Sequence, residues 1–193
     1  MRAVEHVTRG DEELSVLVVR ARDGDEVARS AFVSRTIDDV WRYCAHLLDP
    51  SRADDATQAT YLRALRSLGS FRGDSSPRTW LLGVARNTCL DERRSSARRR
   101  RLLSRVTDDA ERRPVASTGD LDAVEGDELL ARLDPERREA FVLTQLLGFS
   151  YDEAATTLGC PIGTVRSRVA RARRDLLSFG ADDLGDEGLR LAR

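Results

Sequence analysis

Residues 150–177 read SYDEAATTLGCPIGTVRSRVARARRDLL, and this stretch decides the fold. Ser150 and Glu153 stand at the spacing of a capping box, in which each side chain satisfies a free backbone N–H at the start of a helix. Gly159 lies where a turn is needed, and Pro161 suits the start of a following helix. The pattern therefore predicts two helices that are joined by a tight turn.

The second of these helices has two contrasting faces. Its apolar residues recur at spacings of three and four, which predicts one buried stripe of Ile162, Val165, Val169, Ala172 and Leu176. The opposite face is polar and basic, with Thr164, Ser167, Arg171 and Arg174 flanked by Arg166 and Arg168. A basic helix after a tight turn is typical of the recognition helix of a helix-turn-helix protein, which enters the major groove of DNA. The alternative is a solvated helix without a ligand, but the cap, turn and stripe share one register and favour DNA binding.

The rest of the chain also follows helical spacing. Apolar residues recur from Val27 to Leu48, and again in a second helix from Asp54 to Leu68. In that second helix the residues predicted to face inward are Ala56, Leu62, Leu65 and Leu68. Ser76 is the predicted cap of a third helix, which begins at Pro77 and continues into a run of arginines. Because no alternating strand pattern occurs, we predict an all-α fold.

Charge divides the chain into parts. The net charge is only −1, from 32 basic and 33 acidic residues, yet residues 93–105 contain seven arginines and no acid. Residues 163–174 contain five arginines, and the intervening residues 106–128 contain eight acids against two arginines. Two basic blocks suggest two contacts with a polyanion, although a charge run alone is more often a solvated surface. We predict two helical domains, over residues 1–104 and 122–193, joined by an acidic flexible linker over 105–121; the second domain would be a helix-turn-helix with an acidic tail.

Composition argues against several classes of protein. The chain has no run of 18 apolar residues and begins with the charged segment MRAVEH, so neither a membrane span nor a signal peptide is expected. Its three cysteines lie far apart, which argues against a disulfide framework and a zinc site. It has two histidines, no glycine-rich phosphate loop and no HExxH motif, which argues against an enzyme. We expect a cytoplasmic protein without catalytic activity, cofactor, metal or membrane insertion.

Two stretches together resemble one known family. Residues 146–177, LLGFSYDEAATTLGCPIGTVRSRVARARRDLL, are similar to region 4 of the extracytoplasmic-function (ECF) sigma factors of bacterial RNA polymerase. Residues 53–94, ADDATQATYLRALRSLGSFRGDSSPRTWLLGVARNTCLDERR, are similar to region 2 of the same family. The two stretches occur in the order and spacing of that family. The resemblance implies an initiation factor that joins core RNA polymerase, at its clamp coiled coil and flap, and brings it to promoter DNA.

In region 2 the resemblance implies two contact surfaces. The helix from Asp54 to Leu68 would dock on the clamp coiled coil through Asp55, Gln58 and Arg63. Here the chain departs from the family, which usually has two aliphatic residues before the glutamine and an acid after it, because this chain has Ala56, Thr57 and Ala59. The −10 element would be held by a set drawn from the following loop, the next helix and its arginines: Phe71, Arg72, Asp74, Ser75, Arg86, Asn87, Arg93 and Arg94. Trp80 falls on the apolar stripe of that helix, which favours a place in the core over a contact with DNA.

In region 4 the resemblance assigns Arg166, Ser167 and Arg171 to the bases of the −35 element, and Thr164 and Arg168 to phosphates. It also implies a partner, an anti-sigma protein that masks one or both DNA-binding domains. A helix-turn-helix regulator that binds operators without joining polymerase is the alternative. That reading leaves the surface of the Asp54 to Leu68 helix without a purpose.

Overall fold

The computed structural model describes the backbone of residues 2–103 and 128–190, and the side chains of residues 10–99 and 128–180. All regular structure in these residues is helical. The chain divides into two compact units, an N-terminal body that precedes residue 104 and a C-terminal body that contains most of residues 128–190. The predicted all-α fold in two helical domains is confirmed, whereas the predicted linker over residues 105–121 lies outside the described residues.

The N-terminal body is an array of four helices within the described residues. They are α1 (Arg2–Arg22), α2 (Glu26–Leu47), α3 (Ala53–Ser67) and α4 (Pro77–Leu103), with short 3₁₀ turns at Pro50–Arg52 and Leu68–Ser70. Helix α2 packs against the other three helices, and α3 also packs against α4. Ser76 caps α4 as predicted, because its Oγ accepts the backbone N–H of Thr79 at 3.2 Å.

The core of this body is built mainly from α2 and α4. Its fully buried side chains include Phe32, Val40, Tyr43 and Cys44 from α2, and Leu81, Leu82, Ala85 and Cys89 from α4. The prediction that Leu62 faces inward is wrong, since its side chain is 52% exposed. The buried stripe of α3 is instead small or hydroxyl-bearing, with Ala56, Thr60, Tyr61 and Ala64. A stripe of this composition has too little hydrophobicity to be located from apolar spacing.

Tyr61 joins α3 to α2 through a buried hydrogen bond. The Thr36 hydroxyl donates to the carbonyl O of Phe32 at 2.8 Å, so the Tyr61 hydroxyl is the donor in its 2.8 Å bond to Thr36 Oγ1. Burial raises the pKa of Tyr61 to about 12. In the unfolded chain this hydroxyl titrates near pH ~10. Above that pH the unfolded state therefore loses a proton that the folded state keeps.

We expect the free energy of unfolding to fall as the pH rises from about 10 to about 12, because the stability contributed by Tyr61 is complete only below the unfolded pKa. Tyr61→Phe should remove this part of the alkaline loss and cost about 1 kcal/mol at neutral pH. Thr36 keeps its bond to Phe32 in the variant. Denaturant unfolding followed by circular dichroism across this pH range tests the prediction, with Tyr151→Phe as the control. An identical alkaline loss in wild type and Tyr61→Phe would contradict it.

The C-terminal body contains the predicted helix-turn-helix. After a helical segment at residues 128–132 come α5 (Pro135–Phe141), a π-helical continuation at Val142–Leu146, α6 (Tyr151–Leu158) and α7 (Ile162–Arg190). The predicted capping box is confirmed, since Ser150 N donates to Glu153 Oε2 at 2.9 Å and Glu153 N donates to Ser150 Oγ at 3.2 Å. Gly159 ends α6 with a φ of 65°, a left-handed conformation that glycine adopts readily.

Helix α7 is packed through a narrow stripe. Val165, Val169 and Ala172 are buried as predicted, but Ile162 is exposed because it is the first residue of the helix. The helix also continues beyond Leu177, the end of the stretch that decides the fold, as far as Arg190. The side of α7 opposite the buried stripe is therefore available for a ligand.

Candidate nucleic-acid interface

The open side of α7 carries a short row of polar side chains. Arg166, Ser167 and Arg171 are exposed, while Thr164 is half-buried and accepts a 2.9 Å hydrogen bond from Ser167 Oγ at its carbonyl O. Arg166 and Arg171 are five residues apart, which is about 7.5 Å along the helix axis. This distance corresponds to about two base-pair steps of DNA. Five residues also correspond to a rotation of about 140° around the helix, so Arg166 leaves α7 on a different side from Arg171. The open row of Arg166, Ser167 and Arg171 thus supplies donor groups over about two base-pair steps, spread across the exposed half of the helix.

Arg168, which was predicted with this row, is held differently. Its side chain is only 20% exposed and forms an ion pair with Glu136 of α5. Its Nη1 also lies 3.5 Å from the Sγ of Cys160, in the turn before α7. Within the described residues, neither Arg166 nor Arg171 has an acidic partner. Thr164, Ser167, Arg168 and Arg171 line one cavity of about 350 Å³ beside the start of α5, whereas Arg166 does not line it. The structure therefore groups four of the five predicted −35 residues, and within that group Arg168 is set apart by its ion pair with Glu136.

The second candidate surface is the loop between α3 and α4. Arg72 and Asp74 are exposed and Ser75 is half-buried. The half-buried ring of Phe71 packs against Trp80, with 5.2 Å between the ring centroids and 54° between the planes. The expectation that Trp80 belongs to the core holds only in part, because the fully buried stripe of α4 runs through Leu81 instead. An aromatic pair at this position supplies ring surface next to a polar loop.

Helix α4 continues this surface toward its C-terminal end. Seven residues separate Arg86 from Arg93, and the same spacing separates Asn87 from Arg94. A seven-residue spacing returns almost to the same direction, so the four side chains follow one side of the helix over two turns. Asn87, Arg93 and Arg94 are exposed, whereas Arg86 is half-buried. A polar and basic strip of this kind suits contacts with a phosphate backbone.

The predicted polymerase-docking residues of α3 lie on two different sides. Asp55 and Gln58 are exposed and one turn apart. Arg63 is turned toward α4, where its Nη1 donates to Asp91 Oδ2 at 2.8 Å. The hydrogen bond from Arg63 lowers the pKa of the Asp91 carboxyl. The structure thus brings Asp55 and Gln58 together and separates Arg63 from them.

An apolar groove between α2 and α3 was missed by the sequence analysis. It has a volume of about 570 Å³, and the exposed apolar side chains of Ile37, Trp41 and Leu62 lie along it. Gln58 and Asp54 also line it, and Asp54 Oδ1 accepts a 2.8 Å hydrogen bond from Trp41 Nε1. The apolar spacing of α2 and α3 predicts a core and does not indicate a groove. Exposed apolar grooves of this kind are typical of sites for protein partners.

Two further properties of the described residues concern other kinds of site. They contain no cluster of three His, Cys, Asp or Glu side chains that could hold a metal ion. None of their helices combines the length and the apolar character that a bilayer crossing requires.

Comparison with known proteins identifies both bodies. Residues 32–99 match the family model for sigma-70 region 2, and residues 126–176 match that for sigma-70 region 4. The chain is 43% identical over 177 residues to the ECF RNA polymerase sigma factor SigC of Mycobacterium tuberculosis, which covers 90% of this chain and 94% of the relative. It is also similar in structure to sigma factor RpoE of Bartonella quintana, solved with the anti-sigma factor NepR, at 29% identity and a TM-score of 0.67 over 77% of this chain and 94% of that one. CnrH, solved with the cytosolic domain of CnrY, shows 26% identity and a TM-score of 0.68 over 87% and 97% of the two chains.

The helix-turn-helix and the helical body before it are therefore parts of one transcription initiation factor. The chain belongs to the sigma-70 family, in which it is an RNA polymerase sigma factor of the ECF type. This membership decides against an operator-binding regulator that works without polymerase. It also confirms the resemblance found in residues 53–94 and 146–177.

Proposed function

We propose that this sigma factor reads the −35 element with α7, opens the −10 element with the α3–α4 loop and α4, and docks on core RNA polymerase through α2 and α3. It has no catalytic activity of its own and acts in the cytoplasm. The observation that carries the proposal is the open row of Arg166, Ser167 and Arg171, whose exposed side chains lie outside the fully buried stripe of α7. Such a row is free to enter a major groove without disturbing the fold.

Recognition of the −35 element would divide between bases and backbone. Arg166 and Arg171 can each place two parallel N–H donors on the guanine edge, which distinguishes a base pair by about 1–3 kcal/mol. Ser167 can donate to or accept from either kind of base pair. Thr164, at the start of α7, would bond a phosphate and so fix the position of the helix on the duplex.

Opening of the −10 element requires a base to leave the stack, which costs a few kcal/mol. The loop with Phe71, Arg72, Asp74 and Ser75 offers ring surface, charge and hydroxyl chemistry to an extruded base. Asn87 carries an amide that can bond a base edge, and Arg86, Arg93 and Arg94 supply positive charge along the same side of α4. These groups would stabilise the separated strand and make its binding sensitive to salt.

Asn87→Ala is expected to impair opening at the −10 element while leaving duplex binding at the −35 element intact. The side chain is exposed, so its loss should not destabilise the helix. Removing one amide contact to a base should reduce the open fraction about twofold to twelvefold, from the roughly 0.5–1.5 kcal/mol of a typical hydrogen bond. Permanganate footprinting of unpaired thymines measures the bubble, and a normal bubble in the variant would contradict the assignment. Asp152→Ala, which removes an exposed polar side chain from the C-terminal body, is the control.

Docking on core polymerase would use the groove between α2 and α3 together with Asp55 and Gln58 on its α3 side. The groove is apolar along its length, whereas Asp38 and Asp54 contribute carboxylates to its lining. A helical partner with an apolar stripe and basic flanks would complement both features. Arg63 would contribute indirectly, since it is engaged with Asp91. Ala56 is buried and would reach such a partner little, whereas Thr57 is buried but lines the groove.

An anti-sigma protein is the proposed regulatory partner. RpoE of Bartonella quintana, whose fold this chain shares, was solved with the anti-sigma factor NepR. A protein that covered either the open row of α7 or the groove of the N-terminal body would prevent one of the two contacts with the transcription machinery. Because linked weak contacts reinforce one another, masking one body would reduce promoter binding strongly.

Run-off transcription with core polymerase on a promoter library tests the proposed function. Transcripts should arise only when the sigma factor is added, and the active promoters should share two spaced motifs. The sigma factor alone should yield no product, as expected for a protein without catalytic activity. A factor that neither co-elutes with core polymerase nor stimulates any promoter would overturn the proposal.

A further inference from the structure

The ion pair between Arg168 and Glu136 ties three parts of the C-terminal body together. Arg168 is on α7, Glu136 is in the first turn of α5, and Cys160, whose Sγ is 3.5 Å from Arg168 Nη1, is in the turn between α6 and α7. Glu136 is itself held in place, since its backbone N–H donates to the capping carboxylate of Asp134 at 3.0 Å. The guanidinium of Arg168 is thus committed to contacts inside the protein.

A second ion pair joins the same two helices. Arg137 Nη1 donates to Asp175 Oδ2 at 2.6 Å. Glu136 and Arg137 are consecutive at the start of α5, whereas Arg168 and Asp175 are seven residues, or about two turns, apart on α7. Two anchoring points along α7 restrict its rotation about its own axis. They therefore set the direction in which the open row of Arg166, Ser167 and Arg171 leaves the helix.

We propose that Arg168 is a positioning residue for promoter recognition, which orients α7 through Glu136 and does not bind a phosphate. The inference rests on the proposed function of α7 as the −35 reader. It differs from the role that the family resemblance assigns to Arg168. A phosphate that approached Arg168 would also meet the carboxylate of Glu136, which is 67% exposed, and would be repelled by it. The donors of Arg168 that face Glu136 and Cys160 are also already used.

The test measures two properties of duplex binding, which are the affinity and its dependence on salt. The full chain is assembled with core polymerase on a promoter that contains the preferred −35 element. Arg168→Ala should weaken binding about twofold to fivefold, the effect expected for one partly exposed ion pair. The dependence of affinity on salt should keep its slope. A lost phosphate contact would instead lower the slope of log K against log salt by about 0.9.

A charge exchange separates positioning from direct contact. Arg168→Glu alone should weaken binding further than Arg168→Ala, because it places two carboxylates side by side. Adding Glu136→Arg restores an opposite pair with the original net charge, and binding should return to within about twofold of wild type. The far-ultraviolet circular dichroism of each variant checks that the helices are intact.

Two results would overturn the inference. One is a slope reduced by about 0.9 in Arg168→Ala, and the other is an exchanged pair that binds no better than Arg168→Glu. Failure of the proposed function has a different signature, which is a wild-type complex that binds preferred and scrambled −35 sequences equally. That result would remove both proposals together.

Discussion

Replacing Arg171 with alanine is expected to reduce binding and transcription at the preferred −35 element about tenfold to a hundredfold. Arg171 is exposed on α7 and, within the described residues, has no acidic partner, so its five N–H donors are available to DNA. A good paired contact with guanine contributes about 1–3 kcal/mol of discrimination, and each 1.4 kcal/mol corresponds to a factor of ten. Association with core polymerase should not change, because Arg171 lies in the C-terminal body and the proposed docking groove lies in the N-terminal body.

The decisive measurement is the ratio of transcription from a promoter with the preferred −35 sequence to transcription from one with a scrambled −35 sequence. Arg171→Ala should lose activity on the preferred sequence and little on the scrambled one, so the ratio should fall toward one. Arg173→Ala is a matched control, since it removes the same charge from the same helix. Arg173 differs from Arg171 in that it is engaged within the protein, where its Nη2 donates to Gln145 Oε1 at 2.6 Å. An equal loss on both sequences would identify Arg171 as a general electrostatic contact and contradict base reading.

The helix-turn-helix was predictable because its signals are local. The capping box of Ser150 and Glu153, the left-handed Gly159 and the stripe of Val165 and Val169 all lie within twenty residues of one another in the sequence. Each of these features depends on contacts that are fixed by helical or turn geometry. Sequence spacing therefore determines them almost completely, and the predicted open face of α7 follows.

The roles of individual arginines could not be predicted in the same way. Arg63 and Arg168 look like exposed, DNA- or polymerase-facing residues in the sequence. Their partners, Asp91 and Glu136, are 28 and 32 residues away along the chain. Only the packing of α3 on α4, and of α5 on α7, brings these acids close. Helical periodicity says which side of a helix an arginine occupies, but not what meets it there.

The apolar groove illustrates a further limit of hydrophobic patterning. Leu62 and Trp41 recur at helical spacing with core residues, so a pattern that counts apolar positions places them inside. In the folded body they border a groove and are substantially exposed. A helix that binds a protein partner presents an apolar surface to that partner, just as it presents an apolar surface to the core. Spacing alone cannot distinguish a surface buried by folding from one buried by assembly.

Leu62→Asp is expected to weaken association with core polymerase at least about thirtyfold, which corresponds to the loss of about 2 kcal/mol at an interface hot spot. The side chain is 52% exposed, so the variant should fold normally. When a partner helix covers the groove, the new carboxylate would lie under the apolar stripe of the partner and away from its basic flanks, and burial of an unpaired charge is costly.

Val16→Asp is the matched control, because Val16 is 58% exposed on α1 and does not line the groove. Both variants add one carboxylate to an exposed aliphatic position of the same body, so a difference between them must arise from location. Co-elution with core polymerase and run-off transcription should fail for Leu62→Asp and persist for Val16→Asp, with equal unfolding midpoints. If Leu62→Asp assembled with core polymerase as wild type does, the groove would not be the docking site. The exposed pair of Asp55 and Gln58 would then have to bind the polymerase without the apolar surface beside it, and an interface without a desolvated centre would be too weak to hold the two proteins together.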